Sequence, residues 1–158
     1  MYIRELSIRH LKRISSLELQ FPGPITARRG QRAHVPWTVL IGENGTGKTA
    51  ILQAIAMTAA GGLLVNGLVG RSVGYLVDLR GDAPMEVDAL YSLPSALKRG
   101  RKPKTPGLAD LWSDNERLRV RSRVTLMPRA STIFGSSGYE LDGAPLSTAG
   151  ADPLNLVR

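Results

Sequence analysis

An α/β fold with a mixed sheet, one buried helix and a smaller antiparallel β subdomain is the class this sequence predicts. Three observations carry it. Residues 2–8 and 15–21 have the composition and alternation of strands, and a short apolar run at 38–41 leads through a glycine-rich turn into a helix-compatible stretch at 49–60. Further strand-like segments follow at 73–79, 85–91 and 118–127, separated by turn-rich connections. At 158 residues and 17.0 kDa, with 42% hydrophobic and 22% charged residues, the chain has the size and balance of one globular domain.

Each element has a local reason. In 15–21, Leu17, Leu19 and Phe21 face one way and Ser16, Glu18 and Gln20 the other. The link at 9–14 is basic, and Pro22-Gly23-Pro24 ends the second strand because proline cannot extend a hydrogen-bond ladder. A loop carrying Arg28, Arg29 and Arg32 follows. The run at 38–41 comes after Pro36 and lacks polar alternation, the pattern of a strand buried on both faces of a parallel sheet. Residues 49–60 are good helix formers, apolar around the whole circumference, and Gly61-Gly62 is the expected stop. From 135 onward Gly, Ser, Pro and Ala leave little to bury, which predicts loop or disorder.

Composition excludes several chemistries. The chain has no cysteine, so disulfides, thiolate metal sites and thiol nucleophiles are ruled out, and His10 and His34 alone make a histidine-built metal centre unpromising. That composition fits a reducing, cytoplasmic setting. Twenty-one Lys and Arg against thirteen Asp and Glu give a formal charge of +8, which favours anionic partners such as nucleotides or nucleic acid. Residues 49–70 carry no charge and reach the ~20-residue length of a bilayer span. A helix packed under a sheet accounts for the same run, so no membrane association is expected.

The chemistry is concentrated at Gly42-Glu43-Asn44-Gly45-Thr46-Gly47-Lys48-Thr49, which fits G-x-x-x-x-G-K-[ST] between an expected strand and an expected helix. Glycines at 42, 45 and 47 allow the turns that point backbone N–H groups at a phosphate, and a β-carbon there would block close approach. The helix beginning at 48–49 adds its positive dipole end. Lys48 is then the charge for β- and γ-phosphate oxygens, and the Thr49 hydroxyl is the ligand for Mg²⁺. The fold class sharpens to a P-loop NTPase that takes ATP and Mg²⁺. The expected organisation is a nucleotide-binding core at 1–71, a β subdomain at 72–130, and a tail at 131–158.

The opening Met1-Tyr2-Ile3-Arg4-Glu5-Leu6-Ser7-Ile8-Arg9-His10-Leu11-Lys12, the segment Leu17-Glu18-Leu19, and the stretch from Val39 through Lys48-Thr49 to Ile55 together resemble the N-terminal lobe of the ABC-type AAA ATPases. That group includes RecF-like proteins, structural-maintenance-of-chromosomes and double-strand-break-repair ATPases, and overcoming-lysogenization-defect nucleases. The resemblance covers about the first 60 residues. It implies that a basic residue after the first strand reaches the nucleotide; Lys12 takes that place, with Arg13 beside it, although this chain has His10-Leu11-Lys12-Arg13 where the family often has Asn-Phe-Arg-Ser. It also implies ATP hydrolysis in DNA repair, recombination or anti-phage defence.

Hydrolytic elements of that family are missing here. Tyr75-Leu76-Val77-Asp78 has the shape of a strand ending in Asp but continues with Leu79, and no signature motif, Q-loop glutamine or switch histidine is recognisable. The expectation is an N-terminal lobe, or a piece of a longer ATPase, that binds nucleotide and turns over little by itself. A C-terminal ATPase lobe or partner subunit would complete it. Two basic clusters remain: Lys98-Arg99-Gly100-Arg101-Lys102-Pro103-Lys104, and Arg117, Arg119, Arg121 and Arg123, which a strand would place on one face to track the phosphates of DNA. A non-enzymatic nucleic-acid-binding module with a vestigial P-loop is therefore the alternative. A small self-contained kinase or GTPase using Asp78 as its metal carboxylate ranks third, because no guanine-reading Asn-Lys-x-Asp motif is present.

Overall fold

The computed structural model describes residues 2–23, 36–78, 81–92 and 118–146. Six strands and one long helix account for most of them: β1 (Tyr2–Leu11), β2 (Ile14–Gln20), α1 (Lys48–Val69), β3 (Met85–Ser92), β4 (Leu118–Leu126), β5 (Phe134–Leu141) and β6 (Ala144–Leu146). The strands form one sheet in the order β2-β1-β3-β4-β5-β6, and every neighbouring pair is antiparallel.

One face of the sheet is apolar because alternate residues of each strand fall into register. Ile8, Val87 and Val124 line up across β1, β3 and β4, and Tyr91, Val120 and Tyr139 across β3, β4 and β5. All six are buried. Against them α1 lays Ala50, Ala54, Met57, Thr58, Gly61 and Val65, a stripe spaced three and four residues apart. Small residues at 50 and 54 let the front of the helix lie close to the sheet. The rest of the helix surface is less covered than its apolar sequence suggested: Leu52, Leu63 and Leu68 are exposed. By length and composition the helix with its following turn is the one candidate membrane span among the described residues, and its buried stripe is committed to the sheet.

Four expectations need correction. The sheet is not mixed: residues 38–41 form no strand, and Trp37, Val39 and Ile41 are 94%, 72% and 91% exposed. A parallel strand exists only through parallel neighbours, and the described residues contain none, so the P-loop NTPase fold expected from the motif is not established by this sheet. Residues 73–78 are likewise no regular strand, and Leu79 lies outside the described residues; a 3₁₀ turn at Gly70–Tyr75 leads to a single bridge between Val77 and Leu11. Nor does Gly61-Gly62 end the helix. Gly61 (φ 69°) kinks it, and helical structure resumes to Val69.

The fourth correction concerns the supposed tail, of which 134–146 forms β5 and β6. Next to the kink, Gly62 meets Gly135 of β5. A β-carbon on Gly62 would lie 2.5 Å from the Gly135 carbonyl oxygen, and one on Gly135 would lie 2.5 Å from the Gly62 Cα. Glycine in this strand therefore marks a close backbone approach to the helix. Asn66 seals the contact: its Nδ2 donates to the Ile133 carbonyl (2.9 Å), and its Oδ1 accepts the Ile133 N–H (2.8 Å). About two turns nearer the helix start, the Tyr91 and Thr58 hydroxyls lie 2.7 Å apart, and Ser122 Oγ donates to the Thr58 carbonyl at 2.7 Å. Burial pushes the Tyr91 phenol up to about 12, although its bond to Thr58 works in the opposite direction. Residues 131–133 and 147–158, the other parts of the expected tail, are respectively turn-like and outside the described residues.

Candidate nucleotide-binding site

The motif loop turns where its glycines permit. Gly45 (φ 86°) and Gly47 (φ 94°) occupy left-handed backbone, and Gly47 is the residue from which α1 starts. A β-carbon on Gly42 would meet the Thr46 hydroxyl at 2.8 Å. Within the loop, that hydroxyl donates to the Glu43 carbonyl (2.9 Å), which also receives the Thr46 N–H (3.4 Å). No side chain caps the start of α1, and its first turn holds no acidic residue. Leading amide groups and the positive end of the dipole therefore face the loop without an internal anion to neutralise them.

Lys48, in the first turn, folds back across this loop. Its Nζ donates to the carbonyls of Gly42 and Glu43, each at 2.6 Å. Thr49 follows, exposed, at the mouth of the same cleft.

A second element closes the site. β1 and β2 are joined at Leu11↔Ile14 by a two-residue turn, Lys12-Arg13, that lies over the loop. Lys12 has φ 55°, a value at which glycine is the usual occupant of a tight hairpin. Its N–H donates to the Leu76 carbonyl (2.7 Å), while the Asp78 N–H donates to the His10 carbonyl (3.0 Å), so the turn is pinned to the segment after the helix. Ile14 packs near Gly47, 3.4 Å from where a β-carbon would stand. Between turn and loop lies a cleft of about 500 Å³ lined by Lys12, Arg13 and Ile14 on one side and by residues 44–50 on the other.

Of the residues singled out in the sequence, Asn44, Gly45, Thr46, Gly47, Lys48, Thr49, Lys12 and Arg13 come together in this cleft. Gly42 and Glu43 stand behind it and contribute the carbonyls that Lys48 grips.

Over 60 residues the chain is 37% identical to the Septu protein PtuA of Bacillus mycoides (strain KBAB4). That match takes in 38% of this chain and 8% of PtuA, so the chain spans a small part of that relative. No protein-family model matches. The likeness to PtuA loosely fits an ABC-type ATPase family.

The arginine row is arranged differently from the loop. Arg119, Arg121 and Arg123 do share the sheet face opposite α1, as alternation on β4 requires; Arg117 and the cluster at 98–104 lie outside the described residues. Across the register, however, stand carboxylates. Arg121 donates through Nε to Glu140 and through Nη1 to Asp88 Oδ1 (2.6 Å), and Arg123 donates to Asp88 Oδ2 (2.9 Å). Glu140, with Asp88 beside it, holds the Arg121 guanidinium protonated even more firmly than usual, against its partial burial. A nucleic-acid phosphate would have to compete with these partners.

Sequence reasoning missed one residue at the site. Gln53, on the second turn of α1, accepts a hydrogen bond from Lys12 Nζ at 2.7 Å. Nothing in its local pattern signals a contact with a residue 41 positions away.

Proposed function

We propose that this chain is the ATP-binding N-terminal lobe of an ABC-type ATPase. One observation carries the reading: a glycine-turned loop, an uncapped helix start and two lysines, Lys12 and Lys48, converge on a single cleft. Phosphate oxygens satisfy every part of that arrangement at once, because they accept from amides and ammonium groups alike. The residues present suit Mg-ATP. Loop amides from 44 to 48 would hold the phosphates, Lys48 would leave the Gly42 and Glu43 carbonyls for the β- and γ-phosphates, and the Thr49 hydroxyl would ligate Mg²⁺. The metal, when bound, neutralises charge on the transferred phosphoryl group.

Hydrolysis needs a group that orients the attacking water, and none of the residues lining the cleft, Lys12, Arg13, Ile14 and 44–50, carries a carboxylate or an imidazole. Turnover is therefore assigned to a complex with a C-terminal ATPase lobe or partner subunit. Trp37 and Val39, exposed along a second cleft of about 740 Å³, would offer such a partner an apolar edge, which the exposed Ile41 extends. The similarity to a Septu protein is consistent with anti-phage defence, among the settings implied by the sequence resemblance.

The deciding experiment is calorimetric titration of Mg-ATP into wild type and Lys48→Ala. The wild-type protein is expected to bind and the variant to lose measurable affinity. Equal affinities would sink the assignment.

A further inference from the structure

Lys12 is held in an unusual way. Its backbone sits at φ 55°, where a lysine costs about 1–2 kcal/mol relative to ordinary conformations, although glycine would fit without strain. Its side chain does not extend into solvent as hairpin-tip lysines do. Half-buried, it reaches α1 and donates from Nζ to Gln53 Oε1 at 2.7 Å. Gln53 lies five residues beyond Lys48, a little over one helical turn along the element that also presents the loop. Helix, loop and hairpin tip are thereby tied through one side-chain bond, and the tied group is one of the two lysines lining the cleft.

We propose that Gln53 is a positioning residue for the phosphate site: its amide oxygen fixes the Lys12 ammonium beside the loop, so that its charge is in place before an anion arrives. The proposal rests on the nucleotide-binding reading and deepens it by adding a residue that need not touch the ligand. The amide suits this task better than a carboxylate. A carboxylate would neutralise the lysine it holds, whereas a neutral acceptor orients the ammonium and leaves its charge for the ligand. A free lysine at a hairpin tip would lose rotamer entropy on engaging a phosphate, and the bond to Gln53 removes much of that cost beforehand.

A plain structural brace between hairpin and helix would use the same bond, so the test must separate the two roles. Gln53→Met keeps length, apolar stem and helix propensity while removing the acceptor; Gln53→Ala serves as a second variant should methionine disturb packing. Mg-ATP and inorganic tripolyphosphate are titrated calorimetrically into wild type, Gln53→Met, Lys12→Met and the double variant, with thermal melts of each. Positioning predicts that Gln53→Met weakens both ligands by about threefold to tenfold, the net worth of one hydrogen bond. It further predicts no additional loss from Gln53→Met in the Lys12→Met background. Unchanged affinity in Gln53→Met and Gln53→Ala, or an equal further loss in the Lys12→Met background, overturns it. If Lys48→Ala abolishes binding while the Gln53 variants bind like wild type, only this inference fails; if Lys48→Ala also binds normally, the nucleotide reading fails with it.

Discussion

The two ends of α1 are built on opposite principles. At the rear, the helix meets the sheet through fitted contacts: Gly62 meets the Gly135 backbone, Asn66 grips both backbone groups of Ile133, and Thr58 joins Tyr91 and, through its carbonyl, Ser122. At the front, the helix starts without a side-chain cap, and Lys48 is satisfied only by exposed loop carbonyls. Trp37, Val39 and Ile41 stand in solvent beside it. On the proposed reading, the contrast separates the end where the helix anchors the fold from the end that would serve a ligand. Substitutions at the rear should change stability, and substitutions at the front should change binding.

The sharpest way to break that division is at Gly62. Its β-carbon position is 2.5 Å from the Gly135 carbonyl oxygen, and both contacting groups are backbone, so neither can move aside as a side-chain tip would. Gly62→Val should cost about 3 kcal/mol or more through helix–strand separation. Urea unfolding measures the loss. Its folded fraction should retain wild-type Mg-ATP affinity; an affinity loss larger than the unfolded fraction explains would show that the two ends are coupled.

This contact also shows why the sequence was legible in some places and not in others. The P-loop pattern was readable because phosphate chemistry places particular residue types at fixed local spacing, and Lys12 and Arg13 were placed beside it by resemblance. Strands β1 to β4 announce themselves by composition and alternation, which are also local properties. Strand β5 does not: Gly135 and Gly138 look like loop residues until the helix backbone opposite Gly135 is known. Residues 38–41 fail in the reverse direction, since their apolar pattern is that of a strand whose parallel partners are absent from the described sheet. Alternation alone puts Arg119, Arg121 and Arg123 on one face of β4, but Asp88 and Glu140 become partners of Arg121 and Arg123 only through cross-strand register. Gln53 was invisible for the same reason, its partner lying in another element.

A smaller effect at the rear is titratable. Tyr91 ionises at about 12 in the folded protein against 10.0 for an ordinary tyrosine, because burial disfavours the phenolate. A raised folded value means that the neutral phenol stabilises the fold fully below pH 10, and that this contribution is lost as pH climbs through 12. Linkage puts the loss at about 2 kcal/mol across that window. Tyr91→Phe should cost about 1 kcal/mol at pH 7, since Thr58 keeps its helix carbonyl partners. In exchange its stability should fall less steeply than that of wild type between pH 10 and 12. Parallel alkaline profiles for the two proteins would mean that Tyr91 reaches solvent in the folded state.

The smallest expected change in stability sharpens the comparison from the other side. Lys12→Gly removes the strain of a lysine at φ 55°, a gain of about 1 kcal/mol, and simultaneously removes the bond to Gln53, a loss of about 0.5–1.5 kcal/mol. The two nearly cancel, so thermal melting should stay within a few degrees of wild type. Affinity for Mg-ATP should nonetheless fall, because the cleft has lost one of its two lysines. A variant that melts normally and binds poorly would explain why a strained lysine stands where glycine fits better: the conformation is kept for the charge it delivers. If Lys12→Gly instead melts far below wild type and binds Mg-ATP unchanged, the front of α1 is structural after all, and the division between the two ends of the helix does not hold.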